Sequence, residues 1–191
     1  MSKLYFRYGA MNCGKTTILL QVAHNYEERG MKVLLLKPSI DKKGDKSVVS
    51  RLGIERKVDY LLDSNKNTIN ELKLDNISCV LVDESQFLTK QQVIDLWKIT
   101  KEKNVPVICY GLKTNFKGEL FEGSHTLFAL ADETEELITI CSCGKKAKFN
   151  ARIINGKYTL DGDEVAIDGI DAKYESLCGY CYLKKVIKRK W

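Results

Sequence analysis

A short segment near the N-terminus has the residue types and spacing of a phosphate-binding loop. Residues Gly9 to Thr16 read G-A-M-N-C-G-K-T and match the pattern G-x-x-x-x-G-K-[ST]. In such a loop, backbone N–H groups wrap a polyphosphate, Lys15 reaches the β and γ phosphates, and the Thr16 hydroxyl is offered to Mg²⁺. The sequence therefore predicts a site for a nucleoside triphosphate with Mg²⁺, at Gly9, Met11, Asn12, Cys13, Gly14, Lys15, Thr16 and Thr17.

Two acidic residues follow the apolar run Cys79-Val80-Leu81-Val82. In open parallel sheets, ligands bind outside the carboxyl ends of the strands, so Asp83 and Glu84 are expected to lie near the phosphate loop. Asp83 is suited to hold hydrated Mg²⁺. Glu84, one residue further on, could accept the proton of an attacking nucleophile.

The residue types leave the identity of that nucleophile open. If it is water, the protein is a nucleoside triphosphatase, for example a motor or a recombinase-like module. If it is a hydroxyl group of a substrate, the protein is a small-molecule kinase. Composition and spacing do not distinguish these two classes.

A second group of residues near the C-terminus has the pattern of a metal site. The chain has seven cysteines, an odd number, and a chain that is not secreted is expected to keep them reduced. Two close pairs, Cys141-x-Cys143 and Cys178-x-x-Cys181, supply the thiolates that tetrahedral Zn²⁺ prefers. We expect a structural zinc ion, because four thiolates leave no position open for catalysis.

The elements that must position these residues alternate between strand and helix. Short apolar runs end at Gly9, Pro38, Asp83 and Gly111, as expected of strands buried on both faces. Helical spacing of apolar residues predicts helices over 16–29 and 91–103, with a shorter one over 68–74 and a polar loop over 41–50. This alternation predicts an α/β fold with a mostly parallel sheet.

The character of the chain changes after about Glu136. Residues 137–191 hold four of the cysteines, several short β-prone segments and many lysines. A segment this short is small for an independent core, so a bound metal ion would help to stabilise it. We therefore predict two domains, a nucleotide-binding α/β domain over 1–136 and a zinc-binding lobe over 137–191.

Whole-chain properties exclude several classes of protein. The 191 residues include no apolar run long enough to span a bilayer, and the N-terminus lacks the apolar region of a signal peptide. A cytoplasmic location without membrane contact is expected. With 31 basic and 25 acidic residues, the net charge of +6 suits anionic ligands without indicating nucleic acid.

A zinc lobe with a basic tail is also compatible with a second function, the binding of nucleic acid. Tyr174, Tyr180 and Tyr182 are interleaved with lysines, a composition that can bind nucleic acid. The alternative is a zinc-bearing phosphate-loop ATPase that acts on nucleic acid.

Several ordered motifs together resemble one family, the zinc-containing, cytosolic (type II) thymidine kinases. The resemblance covers essentially the whole chain. It is carried by the phosphate loop, Ser50-Arg51-Leu52-Gly53, Asp83-Glu84-Ser85-Gln86-Phe87, the segment 112–116, Phe121 and residues 173–182. It implies a RecA-like phosphate-loop fold, with helices on both faces of the sheet and a lasso loop in the zinc lobe.

The resemblance also implies an activity, the transfer of the ATP γ-phosphoryl group to the 5′-hydroxyl of thymidine. Glu84 would be the general base, Lys15 would stabilise the transferring group, and Asp83 would hold Mg²⁺. Asp41 would lie at the ATP site. The thymidine site would be formed by Met11, Gln86, Phe87, Leu112, Phe116, Phe121, Val165, Ile167, Gly169 and Tyr174. The family further implies a homotetramer and feedback inhibition by dTTP.

The chain departs from the family pattern at a few positions. Lys43 stands in place of an arginine and loses its bidentate fork, which weakens the expectation of phosphate contacts there. Ile140 occupies the usual place of a zinc ligand, so Cys141 can ligate only if its turn tightens. Ala10 and Cys13 also differ from the family, at positions that need no side chain for phosphate binding.

Overall fold

A computed structural model describes residues 1–39, 46–65, 69–163 and 172–187. Its first part, as far as residue 136, combines strands and helices. The elements are β1 (Leu4–Gly9), α1 (Lys15–Glu27), β2 (Lys32–Pro38), β3 (Ser47–Val49), β4 (Glu55–Lys57), β5 (Tyr60–Leu62), β6 (Ile77–Val82), α2 (Lys90–Glu102), β7 (Val107–Leu112), α3 (Glu122–Leu130) and β8 (Glu133–Glu136). Among the described residues, β2 to β6 follow one another without an α-helix between them.

A six-stranded sheet organises this part, in the order β5-β2-β6-β7-β1-β8. All neighbouring strands in it pair in parallel, which confirms the predicted α/β class. β1, β6 and β7 are adjacent, so their carboxyl ends open onto the same edge of the sheet. The phosphate loop, Asp83-Glu84 and the segment after Leu112 all start from that edge.

Both faces of the sheet are buried. In β2, Leu34 and Leu36 pack into the core with α2 and α3, whereas Val33 and Leu35 pack into the core with α1. The alternation of side chains along a strand explains why the run is apolar without interruption. Helices therefore cover both faces, as the family resemblance implies.

The remaining described residues, 137–163 and 172–187, form smaller sheets beside this domain. They contain β9 (Thr139–Ile140), β10 (Lys146–Ala147), β11 (Phe149–Ile154), β12 (Lys157–Thr159), β13 (Ala172–Leu177) and α4 (Gly179–Tyr182), followed by a π-helical turn (Leu183–Ile187). β11 lies between β12 and β13 in an antiparallel sheet. A separate core that includes Cys141, Cys178 and Tyr182 fills this lobe. The division into two domains at residue 136 stays a prediction.

Three details differ from the sequence predictions. Of the predicted loop over 41–50, residues 41–45 lie outside the described residues, and its end is wrong, because Ser47–Val49 is a strand that pairs with β4 around a buried Val48. The helix predicted over 68–74 is only a 3₁₀ turn at Ile69–Glu71 among the described residues. Helix α3 was not predicted, since its polar and small residues give no clear apolar stripe.

Candidate active site

The phosphate loop curls between β1 and α1. Gly14 has a φ of 80°, in the left-handed region that glycine tolerates without a Cβ penalty. The Lys15 ammonium is buried; it donates to the Ala10 carbonyl at 3.0 Å and lies 3.4 Å from the Cys13 sulfur. The cation is therefore held on the loop, next to the backbone that would wrap a phosphate.

Asp83 lies against the start of α1. Its carboxylate accepts a hydrogen bond from the Thr16 hydroxyl at 3.1 Å, and it is 4% exposed. Burial, with repulsion from Glu84 adding to it, raises the pKa of Asp83 to about 7. A cation at this carboxylate would stabilise its ionised form. The Thr16 hydroxyl and the Asp83 carboxylate are oxygen ligands of the kind that Mg²⁺ prefers.

Glu84 projects from a strained turn at the end of β6. Its φ of 49° is left-handed, a conformation that costs a residue other than glycine about 1–3 kcal/mol. Gln86 donates from its side-chain amide to the Glu84 carboxylate at 2.6 Å and accepts the Leu112 N–H at 3.0 Å. Gly111 allows this approach, because a Cβ there would lie 2.9 Å from the Gln86 side-chain oxygen. Gln86 therefore fixes the carboxylate relative to β7.

A cavity of about 460 Å³ contains both the phosphate loop and the acid. Glu84 and Leu112 line it together with residues of the predicted phosphate loop. Its lining is Met11, Asn12, Gly14, Lys15, Thr16, Thr17, Ile18, Val49, Arg51, Leu52, Glu84 and Leu112. The structure thus brings the predicted base and the predicted phosphate site into one cavity.

Arg51 is a lining residue to which the sequence analysis gave no role. It lies in a turn after β3 that is closed by hydrogen bonds from Ser50 and Gly53 backbone groups, and Ser50 is buried. Among the described residues, Lys15 and Arg51 are the cations that line the cavity. Arg51 belongs to the Ser50-Arg51-Leu52-Gly53 motif, but only the β3–β4 hairpin brings it to the phosphate loop.

The aromatic residues expected at the thymidine site fall into two groups. Phe87 and Phe121 meet edge to face, with ring centroids 5.6 Å apart. Phe116 lies under the guanidinium of the buried Arg152, which is 3.6 Å from the ring centroid and donates to the Tyr174 hydroxyl at 2.9 Å. Neither group is in the lining of the cavity above. Arg152 was missed because no motif pointed to it.

Four residues of the predicted site lie outside the described residues. They are Asp41 near the phosphates and Val165, Ile167 and Gly169 in the predicted lasso loop. Lys43, which replaces the family's arginine, also lies outside them.

The four predicted thiolates form one cluster. The sulfur atoms of Cys141, Cys143, Cys178 and Cys181 all lie within 4.8 Å of one another, and those of Cys143 and Cys178 are 3.6 Å apart. Zinc–sulfur bonds of about 2.3 Å in a tetrahedron put sulfur atoms about 3.8 Å apart, so the cluster fits zinc.

Cys141 joins this cluster despite the short spacing of its pair. The Gly144 N–H donates to the Cys141 carbonyl at 2.8 Å, closing a tight turn, while Ile140 is 69% exposed. Although burial favours the thiol, hydrogen bonds from the backbone of Cys143 and Cys178 lower the pKa of Cys141 to about 6. The thiolate, the form that binds metal, is therefore favoured at Cys141, whereas the hydrogen bond with the Cys143 side chain raises the pKa of Cys181 to about 12.

Of the three tyrosines behind the nucleic-acid alternative, Tyr174 and Tyr182 are engaged in contacts within the protein, whereas Tyr180 is 64% exposed. Tyr182 is buried, its ring stacks on Phe149 and its hydroxyl donates to the Phe116 carbonyl at 2.6 Å. Tyr174 is bonded to Arg152, and Lys185 pairs with Glu175 at 3.3 Å. These contacts argue against the nucleic-acid alternative.

Comparison with known proteins agrees with this geometry. Residues 2–182 match the thymidine kinase family. The chain belongs to the thymidine kinase family. The thymidine kinase of Francisella tularensis subsp. holarctica is 47% identical over 192 residues, covering 93% of this chain and 95% of the relative.

Two further thymidine kinases match as extensively. That of Shewanella oneidensis is 48% identical over 93% of this chain and 95% of its own length, and that of Mannheimia succiniciproducens is 45% identical over 98% of each. Similarity to the thymidine kinase family therefore extends through both the phosphate loop and the cysteine cluster. Over the described residues, no helix is long and apolar enough to cross a membrane.

Proposed function

We propose that this protein transfers the γ-phosphoryl group of ATP to the 5′-hydroxyl of thymidine, giving dTMP and ADP. Membership of the thymidine kinase family supports the choice of substrate. The observation that carries the proposal is that Glu84, held by Gln86, faces the same cavity as the phosphate loop. A carboxylate beside a phosphate site can serve a hydroxyl nucleophile.

Glu84 acts as the general base of this reaction. As the thymidine oxygen bonds to the γ-phosphorus, the bond from that phosphorus to the oxygen bridging to the β-phosphate breaks. The hydroxyl proton passes to the Glu84 carboxylate, and the displaced electron pair stays on ADP. The hydrogen bond from Gln86 orients the Glu84 carboxylate. Gln86 itself does not accept the proton. Positioning and charge stabilisation do most of the work in such transfers.

The phosphate loop and its neighbours stabilise negative charge. Lys15 and the backbone of the loop contact the β and γ phosphates, and Arg51 adds a second cation from the hairpin. Thr16 and Asp83 would hold Mg²⁺, which would neutralise charge on the phosphates of bound ATP. Asp41 is proposed to contribute near the same site.

The thymidine site is proposed to lie next to Leu112 and Met11. Phe87, Phe116, Phe121 and Tyr174 are aromatic residues close to this end of the sheet and would form its walls, with Gln86 at its base. Backbone groups near Val165, Ile167 and Gly169 would close over the base. An apolar pocket with a few polar backbone groups suits a methylated pyrimidine.

The cysteine cluster is proposed to hold one structural Zn²⁺. All four ligands come from the protein, so the metal stabilises the lobe and takes no part in the transfer. We propose that residues 1–136 form the nucleotide-binding domain and that 137–191 form the zinc lobe and nucleoside lid. The resemblance to cytosolic thymidine kinases supports the further proposals of a homotetramer, inhibition by dTTP and a cytoplasmic location.

A nucleoside panel tests the proposal. Purified protein with Mg-ATP is incubated with thymidine, deoxyuridine, deoxycytidine and deoxyadenosine, and ADP is measured. We expect ADP formation that depends on thymidine. ADP formation that ignores thymidine and rises with DNA or RNA would instead support the nucleic-acid ATPase, whose affinity should fall steeply with salt.

A further inference from the structure

We infer that Asn150, acting with Ser176, is a positioning residue that sets the phosphate loop against the segment bearing Leu112 and Thr114. The inference rests on the proposed function, because it concerns the alignment of the two substrates. Both residues belong to the zinc lobe and lie opposite each other, Asn150 on β11 and Ser176 on β13.

The two side chains bind both backbone groups of a single loop residue. The Met11 N–H donates to the Asn150 side-chain oxygen at 2.7 Å, and the Ser176 hydroxyl donates to the Met11 carbonyl at 2.6 Å. Met11 lies in the middle of the phosphate loop and lines the cavity. Because the Met11 N–H donates to Asn150, the loop is anchored to the lobe at this residue. The N–H groups of the loop residues after Met11 can still bind phosphate.

The other end of the Asn150 amide reaches the segment that follows β7, the strand whose last residue binds Gln86. Its NH₂ group donates to the Thr114 carbonyl at 3.2 Å, two residues after Leu112. The Leu112 N–H donates to Gln86, which in turn holds Glu84. One amide therefore bridges the element that binds ATP and the segment through which Glu84 is oriented.

The bridge is well placed to transmit small displacements. Asn150 is 3% exposed and Ser176 is 8% exposed, so water does not readily replace either partner. Reactive groups must be held within a few tenths of an ångström, and a misplacement of about 1 Å can lower the rate of transfer about a hundredfold. A side chain that fixes the spacing of the two elements should therefore affect turnover more than binding.

The test compares kcat and KM of the full chain with Mg-ATP and thymidine. Asn150→Ala removes both ends of the bridge and Ser176→Ala removes the bond to the Met11 carbonyl. We expect each to lower kcat by about tenfold to a hundredfold, with both KM values within about threefold of wild type. Ser142→Ala is the matched control, since it removes a hydroxyl that bonds Glu175 in the same lobe without touching the loop.

Two further variants separate positioning from packing. Asn150→Asp keeps the volume of the side chain but puts a carboxylate oxygen against the Thr114 carbonyl, so its kcat should fall at least as far as that of Asn150→Ala. The double variant Asn150→Ala with Ser176→Ala should have a kcat little below that of the slower single variant, because both side chains act on Met11.

Three outcomes would overturn the inference: a kcat for Asn150→Asp within threefold of wild type, losses in the double variant that simply multiply, or effects confined to the unfolding temperature. If Asn150→Ala does not fold, Ser176→Ala carries the comparison. Wild-type turnover with thymidine in the same assay tests the proposed function separately.

Discussion

At the scale of single residues, Glu84 is the side chain whose placement has the clearest chemical meaning. Its left-handed backbone is held by the Asp83 carboxylate, which accepts the Glu84 N–H at 3.0 Å, and its own carboxylate is held by Gln86. Strained residues of this kind persist only where the surroundings fix them, and they cluster at active sites. The strain supports a role in which the direction of one carboxylate matters.

Replacing this carboxylate should abolish most of the turnover. Glu84→Gln keeps the shape but cannot accept a proton, so we expect kcat to fall by about 10²–10⁴-fold. The affinity for ATP, measured by titration calorimetry, should stay within about twofold of wild type. Glu133→Gln, which alters an exposed carboxylate paired with Lys3, is the control. A kcat for Glu84→Gln within tenfold of wild type would rule out the general-base role.

Arg51 should contribute to phosphate binding. Arg51→Ala removes a cation from the cavity lining, and we expect the KM for ATP to rise about tenfold while the KM for thymidine changes little. Arg51→Lys keeps the charge without the planar fork and should recover only part of the loss. Arg29, an exposed residue after α1, provides the control Arg29→Ala. An unchanged KM for ATP would contradict the assignment.

The sequence predicts some of these residues and not others, for a physical reason. The phosphate loop and Asp83-Glu84 have local spacing, so a motif and a preceding strand are enough to find them. Asn150 and Arg152 act through contacts with Thr114, Met11 and Tyr174, which lie far away along the chain. Nothing local in the sequence marks such contacts.

At the scale of elements, the zinc lobe and the sheet meet through a few directed hydrogen bonds. α4 follows directly from Cys178, so Tyr182 lies on a short helix that begins at the cysteine cluster. The Tyr182 hydroxyl then binds the Phe116 carbonyl, within the segment proposed to form the thymidine site. The helix beside the cysteine cluster therefore also contacts the segment proposed for the base pocket.

Removing this hydroxyl should affect thymidine more than ATP. A hydrogen bond contributes about 0.5–1.5 kcal/mol, so we expect Tyr182→Phe to raise the KM for thymidine by about twofold to tenfold. The KM for ATP should be unchanged. Tyr180→Phe is a matched control on the same short helix, since Tyr180 is 64% exposed. Equal effects from both variants would show that the bond to Phe116 does not matter.

The elements were predicted with uneven success. β2 and β6 are evident because strands buried on both faces give uninterrupted apolar runs. β3 and β4 are short and depend on pairing with each other, and α3 packs through the small residue Gly123. A Cβ at Gly123 would lie 2.5 Å from the Ser85 carbonyl. Tertiary contacts of this kind leave no periodic pattern in the sequence.

At the scale of the whole molecule, the cores on the two faces of the sheet differ in kind from the core of the lobe. The large sheet buries apolar side chains on both faces, whereas the lobe core is small and includes two of the four clustered cysteines. A lobe of this size would gain much of its stability from the proposed metal ion. The mostly parallel sheet was predictable from the alternation of elements, but the way the lobe seats on the phosphate loop was not.

Zinc should be present and should stabilise the protein. Elemental analysis is expected to give one zinc per chain. Cys178→Ser should lose it and lower the unfolding temperature, as should strong chelators. Cys79→Ala, in the core of the sheet, should keep its zinc and is the control for removing a buried thiol. Full zinc content in Cys178→Ser would show that the cluster is not the ligand set.

The central claim is that the cavity serves a thymidine hydroxyl and not water. The most direct measurement is the stoichiometry of products, with ADP and dTMP quantified together from purified protein, Mg-ATP and thymidine. The proposed mechanism predicts one dTMP for each ADP and almost no ADP without thymidine. ADP that forms without dTMP, or at the same rate when thymidine is left out, would contradict it.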